Sequence, residues 1–163
     1  MTYKYTISLP VFDNCLSNTG VYMLTSSSEQ TEKNALEQFA HYFKNEMHFD
    51  NIQYEANNHD SNCIGFLFTE NAMDIVTDEH ITMPSRCIGG CSFVKIDKDW
   101  VLCWVWLHPY FRKKGILSCH WKNFFSRFGD FYIEAPISAS MKCFLAKQSG
   151  SHKSIKIQNV PDY

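Results

Sequence analysis

The sequence predicts an α/β fold: a central mixed, twisted sheet flanked by helices. Three observations predict it. The run Trp100 to Leu107 is apolar on both faces, the pattern of a central strand covered from both sides. Hydrophobic periodicities in the second half run strand, strand, helix, strand, helix, strand. A length of 163 residues suits one domain, taken as 1–163, able to bury about 70% of its unfolded surface without staples.

The elements follow in order. Thr2 to Leu9 alternates as a first strand ended by Pro10, and Val21 to Thr25 is a short extended piece. Ser27 and Gln30 stand at capping-box spacing. Leu36, Phe39, Ala40, Phe43 and Met47 then recur at helical spacing, which predicts a helix over 29–47. Ile52 to Ala56 reads as a strand, and Asn57 to Asp60 as a polar turn. Cys63 to Thr69 is strongly strand-like, Asp74 to Thr82 more weakly so. Cys87 to Ile96 and Trp100 to Leu107 form a hairpin across Asp97-Lys-Asp99. Alternation puts Trp100, Leu102, Trp104 and Trp106 on one face of the second strand, and Val101, Cys103, Val105 and Leu107 on the other. A helix from Ile116 stops at Gly129. Phe131 to Ala135 is a strand, Ser138 to Lys147 a helix with Ser as cap, and Ser154 to Gln158 an edge strand.

Composition removes several function classes. The net charge is −2, so no global positive field favours nucleic acid; Arg112, Lys113, Lys114, Lys122 and Arg127 make only a local patch. The seven cysteines are scattered through apolar runs, and Cys87 and Cys91 in one strand stand roughly 13 Å apart. Reduced thiols, a cytoplasmic location and no metal site are expected. The opening residues lack the apolar core of a secretory leader, and no stretch approaches a membrane span. Aromatic residues reach 15%, which predicts a bulky core and an aromatic-lined cleft.

One turn carries chemistry. A central strand leads into Arg112-Lys-Lys-Gly-Ile-Leu117, which opens a helix. A helix N-terminus offers backbone N–H groups and the positive end of its dipole. Gly115 lets an anion approach closely, and three cations flank it. A pyrophosphate fits such a cradle. Here the chain resembles the GNAT superfamily of acyl-CoA-dependent N-acetyltransferases. That family writes Arg/Gln-x-x-Gly-x-Gly/Ala after a central strand ending Val-x-Pro; this chain has Leu107-His-Pro109 and Arg112-x-x-Gly115-x-Leu117. Cys87-Ile-Gly-Gly-Cys-Ser-Phe, Phe131-Tyr-Ile-Glu-Ala and Phe144-Leu-Ala-Lys-Gln-Ser-Gly150 resemble the family's neighbouring strands and final helix. The Ser138 to Ala146 segment is more weakly similar to cohesin-type protein acetyltransferases.

The resemblance implies a fold with splayed central strands and acetyl-CoA as co-substrate. It implies an amine acceptor, protein or small molecule, that attacks the thioester directly. The cofactor contacts it implies are Leu107, Arg112, Lys113, Lys114, Gly115, Leu117 and Ser118, with the Leu107 N–H polarising the thioester carbonyl. Leu117 replaces the usual Gly or Ala, and Ala146 stands where a proton-donating Tyr is frequent. Candidate bases are Glu70, Asp74, Glu79, His80, His108 and Glu134; candidate acids are Ser138, Ser140 and Cys143. The catalytic expectation centres on Glu134, His108 and Ser140. The rival expectation is a GNAT-like CoA-binding or interaction module with weak or no catalysis.

Overall fold

A computed structural model describes residues 6–148 and 154–155. Its strands are β1 (Val11–Phe12), β2 (Val21–Leu24), β3 (Cys63–Asn71), β4 (Ser85–Ile96), β5 (Asp99–Leu107), β6 (Tyr132–Glu134) and β7 (Ser154–Ile155). Its helices are α1 (Gln30–Met47), α2 (Ile116–Phe128) and α3 (Ala139–Ala146). The strands form one seven-stranded mixed sheet in the order β2-β3-β4-β5-β6-β7, with β1 paired to the start of β4. The pairs from β2 to β5 are antiparallel, and β5-β6-β7 are parallel.

Helices cover both faces of the sheet, as the doubly apolar β5 requires. On one face α1 seats Leu36, Phe39 and Ala40 against Leu67, Cys87, Trp104 and Trp106. Gly65 and Gly90 permit this close approach: a Cβ on either would lie 2.4 or 2.5 Å from the Leu36 methyls. On the other face α2 packs Trp121, Phe124 and Phe128 on Phe66, Phe93 and Leu102. Phe93 stacks on Phe128 with centroids 4.1 Å apart, within a web of edge-to-face aromatic contacts.

Several sequence expectations change. The tryptophans of β5 do not share a face. Trp104 pairs with Ser92 while Leu102 pairs with Phe93, so Cys103 is the extra residue of a β-bulge. Trp100 and Leu102 therefore join the α2 side, and Trp104 and Trp106 the α1 side. Ser27 and Gln30 make no capping box; α1 starts after Glu29 without a side-chain cap. The Ser28 hydroxyl instead accepts from the Thr25 N–H at 2.9 Å, closing the turn before the helix.

The described part of the expected first strand, residues 6–9, is irregular, and pairing begins at Val11. Ser8 gives its backbone to the Tyr42 hydroxyl and the Gln38 amide instead of a ladder. Residues 52–56 form no strand either. Tyr54 and Ala56 cap the α1-side core, the Ala56 N–H donating to Glu37 at 3.0 Å. Asp74 to Thr82 also forms no strand: it begins in a 3₁₀ turn (Met73–Ile75), where Arg86 of β4 holds Asp74 at 2.7 Å. The parts of the last helix and last strand beyond 148, other than Ser154 and Ile155, lie outside the described residues.

Candidate functional site

The bulge at Cys103 decides the site. β5 and β6 pair only at Val101–Tyr132 and Leu102–Ile133, then diverge. A cleft of about 270 Å³ opens at this splay, between the end of α1, the following loop and the start of α3. Phe43, Phe49 and Trp104 wall one side of it, and among the described residues Glu134 and Asp50 are its only charged lining groups.

The ladder shows what β5 offers to the splay. The His108 N–H donates to the Ile88 carbonyl at 2.9 Å, so the adjacent Leu107–Gly89 pair is a non-hydrogen-bonded one. Leu107 therefore turns its own N–H and C=O away from β4, toward the side that β6 has left. Its carbonyl is found there, accepting from Arg112 Nε at 2.8 Å.

Glu134, the last residue of β6, is half-buried in the cleft. Burial pushes its carboxyl up to about 7, and a hydrogen bond with Cys103 opposes that rise. Burial also raises the Cys103 thiol well above its ordinary value, and the nearby Glu134 charge adds to this. A carboxyl of this kind is half ionised near neutral pH and can both take and return a proton.

Beyond β5, residues 109–111 make a 3₁₀ turn, and Lys113 and Gly115 adopt left-handed backbone at φ 60° and 79°. A Cβ on Gly115 would meet nothing within 4 Å, so the space over the start of α2 is open. The first bond of α2 runs from the Cys119 N–H to the Gly115 carbonyl, leaving earlier N–H groups to outside partners. Lys113, Lys114 and Ser118 are exposed beside this end. Lys114 lies over the Tyr110 ring at 3.6 Å, and the Ser118 hydroxyl accepts from Gln148 at 3.3 Å. Leu117 packs into the α2-side core, so its bulk leaves the cradle clear.

Arg112 is engaged elsewhere. Its guanidinium binds both Glu46 oxygens at 2.6 and 2.8 Å and lies over Trp106 at 5.7 Å. It straps the turn to the last turns of α1, across 66 residues of sequence. The outward-facing charge of the turn thus comes from Lys113 and Lys114.

Of the candidate bases, Glu134 alone lines the cleft. His108 accepts the Tyr110 N–H on Nδ1 at 3.1 Å and packs against Trp106 and Phe111, capping the turn. Arg86 binds both Glu70 and Asp74, and His80 lies 3.5 Å from Asp13. Ser138 lines the cleft while its oxygen accepts the Met141 N–H at 3.1 Å as the cap of α3, which leaves the hydroxyl proton to give. Ser140 and Cys143 are exposed on α3 and do not line the cleft. Sequence reasoning missed Asp50 and Cys103. Asp50 follows the helix end in a polar turn, and Cys103 reaches the cleft only through a bulge that alternation does not announce.

No protein-family profile and no curated protein matches the sequence. Solved structures do match the fold. The xEco2 acetyltransferase domain bound to a CoA conjugate superposes with a TM-score of 0.53 at 13% identity, over 77% of this chain and 84% of that one. An aminoglycoside acetyltransferase, meta-AAC0020 from an uncultured soil metagenomic sample, in complex with sisomicin, gives 0.53 at 10% identity over 87% and 95%. Its complex with trehalose gives 0.52 at 9% identity over the same shares. Among the described residues no helix is long and apolar enough to cross a membrane. This chain therefore has the α/β fold of those solved acetyltransferases, and in it the mixed sheet splays beside a bulged central strand and a glycine turn opens the next helix.

Proposed function

We propose that this protein is an acyl-CoA-dependent N-acyltransferase, with acetyl-CoA as the acyl donor and an amine as acceptor. The observation that carries the reading is the half-buried Glu134 carboxyl in the cleft at the β5–β6 splay, where β5 is the strand whose end leads into the glycine turn. The 113–118 backbone, with Lys113 and Lys114, would hold the pyrophosphate, and the thioester would enter between β5 and β6. The Leu107 N–H faces that side and would polarise the thioester carbonyl.

Glu134 takes a proton from the acceptor ammonium, directly or through one water. The neutral amine attacks the carbonyl carbon, and the tetrahedral intermediate collapses to amide and CoA thiolate as its nitrogen gives up the second proton to solvent or to the Ser138 oxygen, which relays it. The Ser138 hydroxyl or solvent returns a proton to sulfur. CoA is a thiol with an ordinary affinity for protons, close to 8.5 on the thiol scale, so a dedicated acid helps without being obligatory.

The second reading, a CoA-binding module with weak catalysis, rests on the exposed Ala146 on α3 in place of a phenol. A thermal-shift titration with acetyl-CoA, followed by thiol release on an amine panel, separates the two. Protection with turnover supports the enzyme, protection without turnover supports the module, and absence of protection removes both.

A further inference from the structure

We propose that the acceptor is a small monoamine: one primary ammonium on a short aryl or alkyl stem. The inference rests on the acyltransferase reading above and takes it from "an amine" to a chemical class.

The cleft has an apolar wall and an acidic floor. Phe43 packs edge-to-face with Phe49 and tilted against Trp104, the ring centroids 5.5 and 6.0 Å apart, so the three rings make one continuous wall. Met141 of α3 also lines this cleft. Aromatic faces and thioether side chains accept a flat or branched apolar group and attract an adjacent ammonium. Among the described residues the charged lining groups are both carboxylates, Asp50 exposed at the rim and Glu134 half-buried within, and no Lys, Arg or His lines the space. One cation is thereby drawn inward while its stem meets the rings.

Size and polarity exclude other classes. A volume of about 270 Å³ lies below the range of roughly 300–1,000 Å³ usual for drug-sized ligands. Asn51, Gln53 and Ser138 also line the cleft and can bond a few polar groups, but a polyhydroxylated polycation would still press further hydroxyls against Phe43, Phe49 and Trp104, and such burial is costly. A second or third ammonium of a polyamine would lie along the same apolar wall.

The test measures kcat/KM with acetyl-CoA for 2-phenylethylamine, n-hexylamine, spermidine, kanamycin and a lysine-containing peptide. Binding of each amine to the protein is followed in parallel by quenching of tryptophan fluorescence, a readout independent of turnover. The expected result is a preference of about 10-fold or more for the two monoamines, the scale that one apolar contact supplies. Phe49→Leu and Asp50→Asn, both near the rim, should each raise the monoamine KM several-fold with kcat little changed. Best use of spermidine, kanamycin or the peptide would overturn the acceptor class while leaving the acyltransferase reading intact. Monoamine binding that Asp50→Asn weakens, with no transfer to any amine, would uphold the class and overturn the catalytic reading. Absence of both monoamine binding and monoamine transfer would overturn the proposal.

Discussion

Replacing Glu134 with Gln keeps the shape of the side chain and removes its charge, and the two consequences have opposite signs. In the native protein, burial raises the carboxyl to about 7, whereas the unfolded chain titrates near the ordinary value of 4.5. Below the ordinary value both states are protonated and the group costs nothing. As pH rises toward 7 the native state resists ionisation, so this group lowers stability progressively, and above about 7 the loss is constant. At 1.36 kcal/mol for each pH unit between the two midpoints, the full penalty is about 3 kcal/mol. Water reaches part of the half-buried carboxyl, which reduces it to about 1–2 kcal/mol. E134Q should therefore melt about 2–8 °C above the wild type at pH 8, and the gap should close near pH 4.5.

Catalysis should move the other way. Loss of a general base costs about 10²–10⁴ in kcat/KM. The wild-type profile should rise with pH to a midpoint near 7, and this limb should vanish in the variant, with acetyl-CoA protection unchanged. The assays are thermal melts at both pH values and thiol release from acetyl-CoA between pH 5 and 9. A variant within a few-fold of wild-type activity, or one keeping the limb, would refute the base assignment. Equal melting temperatures at pH 8 would refute the burial argument.

Three other outcomes are expected. Gly115→Ala should cost about 1–2 kcal/mol by chemical melt, because only left-handed backbone strain opposes it, and should keep most acetyl-CoA protection. Gly115→Glu should abolish that protection by placing negative charge in the cradle. Arg112→Gln should weaken acetyl-CoA protection only modestly while raising the acceptor KM, since it frees the end of α1 that lines the cleft; loss of all CoA binding would return Arg112 to the phosphate site. His120 is buried against Phe68, its Nδ1 without a partner among the described residues, and burial lowers its affinity for protons. The unfolded chain binds that proton first, so stability should fall as pH drops through about 6.5, and His120→Leu should flatten this decline in melts from pH 7 to 5.

Long-range pairing limited what the chain alone could tell. The strap from Arg112 to Glu46 joins residues 66 apart, and nothing local to either announces the partner. Glu70 and Asp74 read as bases until Arg86 is found between them. His108 and Ser140 lie in the right segments of sequence, yet one caps a turn and the other faces away from the cleft. Side-chain direction at a strand end or in a short helix depends on packing against elements far away in sequence.

Other features were legible because their causes are local. The 3.6-residue period of Leu36, Phe39, Ala40 and Phe43 gave α1 within one residue of its start and to its last residue. Apolar faces on both sides of Trp100–Leu107 announced a covered central strand, and Gly115 before a helical period announced an open N-terminus. Sequence by itself therefore determined the class of fold, the order of its main elements and the glycine turn that opens α2. Tertiary structure alone decided the faces of β5, the splay and the meeting of Cys103, Glu134 and Asp50 in one cleft. The reason is the bulge: an extra residue opposite Ser92 and Phe93 is set by pairing between strands, and it rotates every later side chain of β5 to the other face.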